Sequence, residues 1–258
     1  MSSRIKKFEK RISKSKQKLR KYSDKIKKYT YRIGITAPYE KQLIDNNPPQ
    51  RIFPCNIGIL FNSTFVKRYY EAFIAYLEMV YDSCFYNIID LGHHRFSKMA
   101  MKKGIKKEIY KGNIQESSEE LLLHPTNKFF QVLIDKRIEE NLDMIVSITK
   151  LPIYSSSDNN IIFLFGEANI DHRCSIVSTL LLKEQFYKRK RNRTVYELRI
   201  IKELIHEVGH LIFGPKHCTN EKCVMSFAQT VEDIDRKYIG LCQNCQEKLE
   251  NLKYSYNF

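Results

Sequence analysis

A chain of 258 residues is long enough for one large domain or two small ones with a genuine core, which excludes a miniature stapled scaffold. Hydrophobic residues make up 43% and charged residues 28%, and aromatics reach 12% without any Trp, a near-average composition that excludes wholesale disorder. No apolar run approaches the ~20 residues of a membrane-spanning helix and no apolar segment near the N-terminus resembles a secretory signal, so the sequence reads as soluble and intracellular, cytoplasmic or nuclear.

The net charge of +15 sits at one end. Residues 1–32 hold 14 Lys and Arg against Glu9 and Asp24, a net +12, which leaves about +3 for the other 226 residues. Ile5, Phe8, Ile12, Ser15, Leu19, Tyr22, Ile26 and Tyr29 follow a three-four spacing, which predicts a helix with one narrow seam flanked by basic side chains. Such an arm, residues 4–32, suits an anionic partner (nucleic acid or a membrane surface), a docked appendage without chemistry, or a mitochondrial presequence. Asp45–Pro49 reads as a turn or linker, so the chain divides into residues 1–49, arm and linker, and residues 50–258, a folded domain.

Within that domain Cys55–Phe61 predicts a buried strand, Phe65–Tyr81 an amphipathic helix and Tyr86–Leu91 a second strand. This β-α-β order favours a parallel pair. Residues 95–127 are polar and Lys-rich and show no pattern. Phe129–Asn141 returns to helical spacing, and the β-branched run Asp143–Thr149 predicts a central strand. Residues 155–160 read as a loop, Ile161–Gly166 and Cys174–Leu180 as strands, and Tyr196–Phe213 as a long helix that begins near Thr194, after the basic run Lys188–Arg193.

The chemistry is concentrated between His206 and Cys245. His206 and His210 are four apart, so on a helix they share one face, as two imidazoles binding one zinc must. Glu207 beside them can take a proton from a water acidified by the ion and pass it to a leaving amine. Gly214 and Pro215 stop the helix, and the chain can turn back to bring His217 to the same ion. Three imidazoles leave one coordination position open, the composition of a catalytic zinc site. Cys218, Cys223, Cys242 and Cys245 follow as C-x4-C-x18-C-x2-C, four thiolates suited to one tetrahedral structural zinc. Seven Cys without an export signal argue against disulfides, and Cys55, Cys84 and Cys174 read as ordinary buried side chains. His93, His94, His124 and His172 lack partners at metal spacing, and Glu232, Asp233 and Asp235 read as a solvated helix face.

The run H-E-x-x-H, a Gly turn, H-C, x4, C-x-M and a later C-x-x-C resembles the archaemetzincins, a branch of the metzincin clan of zinc metallopeptidases. The likeness extends upstream to about residue 142, through LDMIVSITKLPIY and NNIIFLFGEANI. It implies an α/β (α+β) fold: a metzincin-like mixed twisted sheet, an active-site helix beneath its edge strand and a small zinc-pinned C-terminal subdomain. It also implies two zinc ions, a catalytic one on His206, His210 and His217 and a structural one on the four cysteines, with Glu207 as general base. Met225 would lie beneath the catalytic metal, and Ile161–Gly166 would be the edge strand that binds a peptide or protein substrate by β-augmentation.

The metzincin pattern has two residues between the second His and the Gly, whereas Leu211, Ile212 and Phe213 stand here. The inserted residue predicts a π-bulge or a loosened last turn, since an unadjusted register places Lys216 where His217 belongs. That departure and the charged arm motivate an alternative, a catalytically inactive four-cysteine zinc module that binds nucleic acid or acidic partners through its arm.

Overall fold

Alternating apolar residues turn successive side chains of one strand to opposite faces, so a strand apolar throughout needs cover on both. In a computed structural model that describes residues 53–62, 67–96, 102–110, 113–156 and 164–256, the central strands receive that cover from helices on either side. The readings placed on the arm, on the linker and on residues 161–163 lie outside the described residues.

Strand β1 (Cys55–Phe61) is followed by helix α1 (Tyr70–Val80) and strand β2 (Phe85–His93), which pairs with β1 in parallel as the β-α-β order predicts. Strands β3 (Lys102–Tyr110) and β4 (Asn113–Pro125) form an antiparallel hairpin in the segment that shows no pattern in sequence. Helix α2 (Thr126–Glu139) leads into strand β5 (Met144–Thr149), the short strand β6 (Ile153–Tyr154), and strands β7 (Gly166–Asn169) and β8 (Cys174–Ser178). A 3-10 turn at Glu184–Tyr187 precedes the long helix α3 (Arg193–Phe213), the short α4 (Val231–Arg236) and the terminal α5 (Gln243–Tyr256).

The main sheet has the order β2-β1-β5-β8-β7. Its first four strands are parallel, and β7 closes one edge antiparallel to β8, so the sheet is mixed, as expected. Ile57, Ile59 and Phe61 of β1 and Met144, Val146 and Ile148 of β5 join the core with α1 and α3. The intervening Leu60 and Ile145 face the opposite core, with Phe129 and Leu133 of α2. This alternation makes a layered α/β fold with α3 buried along one sheet face.

The edge strand differs from expectation. Leu164 makes one isolated antiparallel bridge to Ile153, and continuous pairing starts only at Gly166. Leu164 and Phe165 are buried, so the apolar run reports burial, while the ladder that reaches the sheet edge is Gly166–Asn169.

Candidate metal centre and active site

Helix α3 begins at Asn192, whose side chain accepts a hydrogen bond from the Val195 N–H. From Ile200 to Ile212 every residue is buried, which fixes the direction in which His206, Glu207 and His210 project. The inserted residue produces neither a π-bulge nor a loosened turn. The helix runs regularly through Phe213, with the Gly214 N–H donating to the His210 carbonyl at 3.0 Å, and then breaks at Gly214, whose φ of +93° suits glycine. Lys216 is exposed, and His217 arrives at the site.

One nitrogen from each of His206, His210 and His217 lies within 4.8 Å of the other two. The ring centroids are 4.6 Å apart for His206 and His210, 4.8 Å for His210 and His217, and 5.2 Å for His206 and His217. His206 Nδ1 is 2.8 Å from the Val224 carbonyl and His210 Nδ1 is 2.9 Å from the Gly214 carbonyl. A carbonyl only accepts, so each Nδ1 carries the proton and each Nε2 presents a lone pair. Those two Nε2 atoms stand 3.1 Å apart, a repulsive contact that a cation bound by both relieves. Burial holds His206 well below the ordinary imidazole range and pulls His210 down to about 4 and His217 to about 3, which keeps all three neutral and ready to ligate at neutral pH.

Glu207 is buried, and burial, with the neighbouring charges of Glu203 and Glu167, pushes its carboxyl well above the usual range; Lys237 acts the other way. These four side chains are all buried. The donor set and its tautomers fit zinc.

Met225 is buried beneath the same turn of α3, where its Sδ is 3.5 Å from the Tyr81 hydroxyl. That hydroxyl donates to the Ile205 carbonyl at 2.7 Å. The thiols of Cys218, Cys223, Cys242 and Cys245 form the second cluster, also with ligand atoms within 4.8 Å of one another. The backbone N–H of Asn220 donates to Cys218 Sγ and that of Cys242 to Cys223 Sγ, polarity suited to thiolates, yet burial pushes the Cys223 thiol up to about 11. Thiolates at this density need a cation, and four sulfur ligands leave it no open position.

Among the described residues these two clusters are the groups able to hold a metal. Cys55, Cys84 and Cys174 are buried free thiols, with Cys84 and Cys174 both raised to about 12 by burial. The acidic residues of α4 are more than a solvated face. Asp233 closes a capping box with Thr230, Asp235 receives two hydrogen bonds from the buried Arg199 at 2.6 and 2.7 Å, and Glu232 pairs with Arg189. The basic partners lie on or just before α3, far from α4 in sequence, and local helix spacing does not reveal them. Glu203 had a signal, a carboxylate one turn before Glu207 on the same helix face. Lys237, Glu167 and Tyr81 had none.

The sequence model of peptidase family M54 matches residues 97–251. The archaemetzincin of Methanocaldococcus jannaschii is 36% identical over 124 residues, which cover 48% of this chain and 67% of that protein. The archaemetzincin of Thermococcus kodakarensis is 41% identical over 104 residues, 40% of this chain and 54% of that protein. The matched stretch therefore spans between about half and two thirds of these relatives. In fold, the chain is similar to a zinc-dependent peptidase from Methanocorpusculum labreanum, with a TM-score of 0.57 and 20% identity over 75% of this chain and 99% of that one. It is also similar to an archaemetzincin from Methanopyrus kandleri, with a TM-score of 0.54 and 21% identity over 77% of this chain and 95% of that one.

Proposed function

The chain belongs to peptidase family M54, the archaemetzincins, and from that premise we propose that it is a zinc-dependent metallopeptidase that hydrolyses peptide bonds in a peptide or protein substrate. The observation that carries this reading is the convergence of His206, His210 and His217, with two of the rings locked by backbone carbonyls in the tautomer a metal requires. These three residues hold the catalytic zinc. Cys218, Cys223, Cys242 and Cys245 hold a second, structural zinc, two per chain in all.

When bound, the catalytic zinc supplies Lewis acidity that polarises a scissile carbonyl and acidifies water. Glu207 does the proton work. Its carboxylate would accept the proton released as water attacks and pass it to the leaving amine. The edge strand β7 offers the backbone against which an extended substrate can align.

Glu207→Gln keeps the size of the side chain and removes its basicity. We expect it to abolish cleavage of a fluorescence-quenched peptide library while zinc content, measured by mass spectrometry, stays at two per chain. Cleavage at the rate of the unsubstituted chain would remove Glu207 from the mechanism.

The reading as a catalytically inactive module rested on the inserted residue and the charged arm, and the regular end of α3 with His217 at the cluster speaks against the first of these. The charge of residues 1–32 supports a separate role for the arm, contact with an anionic partner such as nucleic acid or a membrane surface. Binding to RNA or to anionic vesicles should weaken as salt rises and disappear when residues 1–32 are deleted; binding unchanged by the deletion would place it elsewhere. Three buried cysteines, Cys55, Cys84 and Cys174, and a metal-ligand cluster of the other four favour an intracellular setting, cytoplasmic or nuclear.

A further inference from the structure

Glycine inside a strand usually marks either a bend or a place where something approaches the backbone closely. Gly166, the first residue of β7, is of the second kind. A Cβ built on it would lie 2.4 Å from Glu207 Oε1, 2.6 Å from Glu207 Cγ and 2.7 Å from Glu207 Cδ. The bare backbone of the edge strand thus lies directly on the side chain of the residue read above as the base.

Neither backbone is free to yield. Gly166 is paired with Val177, the adjacent Phe165 carbonyl accepts from the Ser178 N–H at 2.7 Å, and Leu164 is bridged to Ile153. Glu207 sits mid-helix in the fully buried stretch of α3. A methyl group at position 166 meets Cγ as well as the carboxylate, so rotating only the tip of Glu207 does not clear it. The whole side chain must change rotamer, away from its seat against β7 and among the charges of Glu203 and Glu167.

We propose that Gly166 is a positioning residue: by carrying no side chain it lets the edge strand lie against Glu207 and hold its carboxylate in the orientation the reaction uses. This rests on the peptidase reading for its catalytic consequence, while the contact itself stands independently of it. It also means that a substrate aligned on β7 meets the base without an intervening side chain.

The test uses the full chain carrying Gly166→Ala, Glu207→Ala, or both. In the otherwise unsubstituted chain, Gly166→Ala is expected to lower Tm by roughly 3–10 °C through overpacking. It should reduce kcat by about a hundredfold, with KM less affected and both zinc ions retained, since small misplacements of a catalytic group carry losses of that order. In the Glu207→Ala background the colliding Cγ, Cδ and Oε1 are gone, and the Tm cost of Gly166→Ala should vanish. An equal Tm cost in both backgrounds, or a well-folded Gly166→Ala protein with kcat within a few-fold of the unsubstituted chain, overturns the proposal. If Gly166→Ala alone does not fold, recovery of folded protein in the double variant supports it and failure of both overturns it. Should the unsubstituted chain cleave no peptide, the peptidase reading falls, and the Tm cycle still decides whether the strand sets the Glu207 carboxylate.

Discussion

Gly209 stands between the first and second imidazole of α3, on the face turned toward Met225 and Tyr81. A Cβ there would come 2.2 Å from Met225 Sδ and 2.4 Å from the Tyr81 hydroxyl oxygen. Two effects oppose each other in Gly209→Ala. Helix propensity favours alanine by about 1 kcal/mol, whereas overpacking a well-filled core costs about 1–3 kcal/mol. The methionine can swing aside; the tyrosine is held by its hydrogen bond to the Ile205 carbonyl and cannot. Overpacking should win, by up to about 2 kcal/mol. Adding Tyr81→Phe, which removes the obstructing oxygen, should return part of that loss, so the two substitutions combine non-additively in denaturant unfolding. Additive costs would show that the helix reaches its seat on the methionine by other contacts.

At the level of elements, what the sequence discloses follows from where burial leaves a periodic trace. β1, α1, α2, β5 and α3 were all legible because each has an apolar face or is apolar throughout, β2 was legible from its aliphatic and aromatic residues although none of them is buried, and the metal ligands were legible because their spacing is fixed by the helix and by the turn after it. The hairpin β3–β4 left no such trace. KKGIKKEIY carries five charged residues in nine, and its identity as a strand comes from backbone pairing with β4, which no side-chain period records. For the edge strand the reason is opposite, since IIFLFG announces burial strongly, and among its described residues, 164–166, continuous pairing begins at Gly166. The extra residue before Gly214 was visible, yet its accommodation was not. A helix buried to Ile212 gains from one further regular residue, and the glycine absorbs the change of direction. Contacts between charges far apart in sequence, Arg199 with Asp235 or Lys237 near Glu203, belong to tertiary packing and have no local signature.

Across the whole molecule the two metal clusters are joined by a few residues of backbone. Cys218 directly follows His217, and its N–H donates to the Met225 carbonyl at 2.8 Å. Val224, between Cys223 and Met225, supplies the carbonyl that orients His206. The segment that holds the first imidazole in its tautomer is therefore anchored on one side by a ligand of the sulfur cluster. The dependence runs mainly one way. Removing a thiolate takes away one anchor of residues 223–225, whose others are backbone hydrogen bonds with Asn220, Gly240 and Cys218, whereas removing an imidazole leaves the sulfur ligands and their N–H donors in place. Loss of an outer partner that orients a metal ligand typically lowers affinity about 10–100-fold. We therefore expect Cys223→Ser to release the structural zinc and also to weaken cation binding at the imidazoles by about tenfold or more, read by titration with a chromogenic chelator. His217→Ala should strip the catalytic ion alone, leaving one zinc per chain and the same Tm for the C-terminal segment. Independent loss in both variants, with imidazole affinity unchanged by Cys223→Ser, would mean that His206 keeps its orientation from α3 alone and that the sulfur cluster serves only the end of the chain.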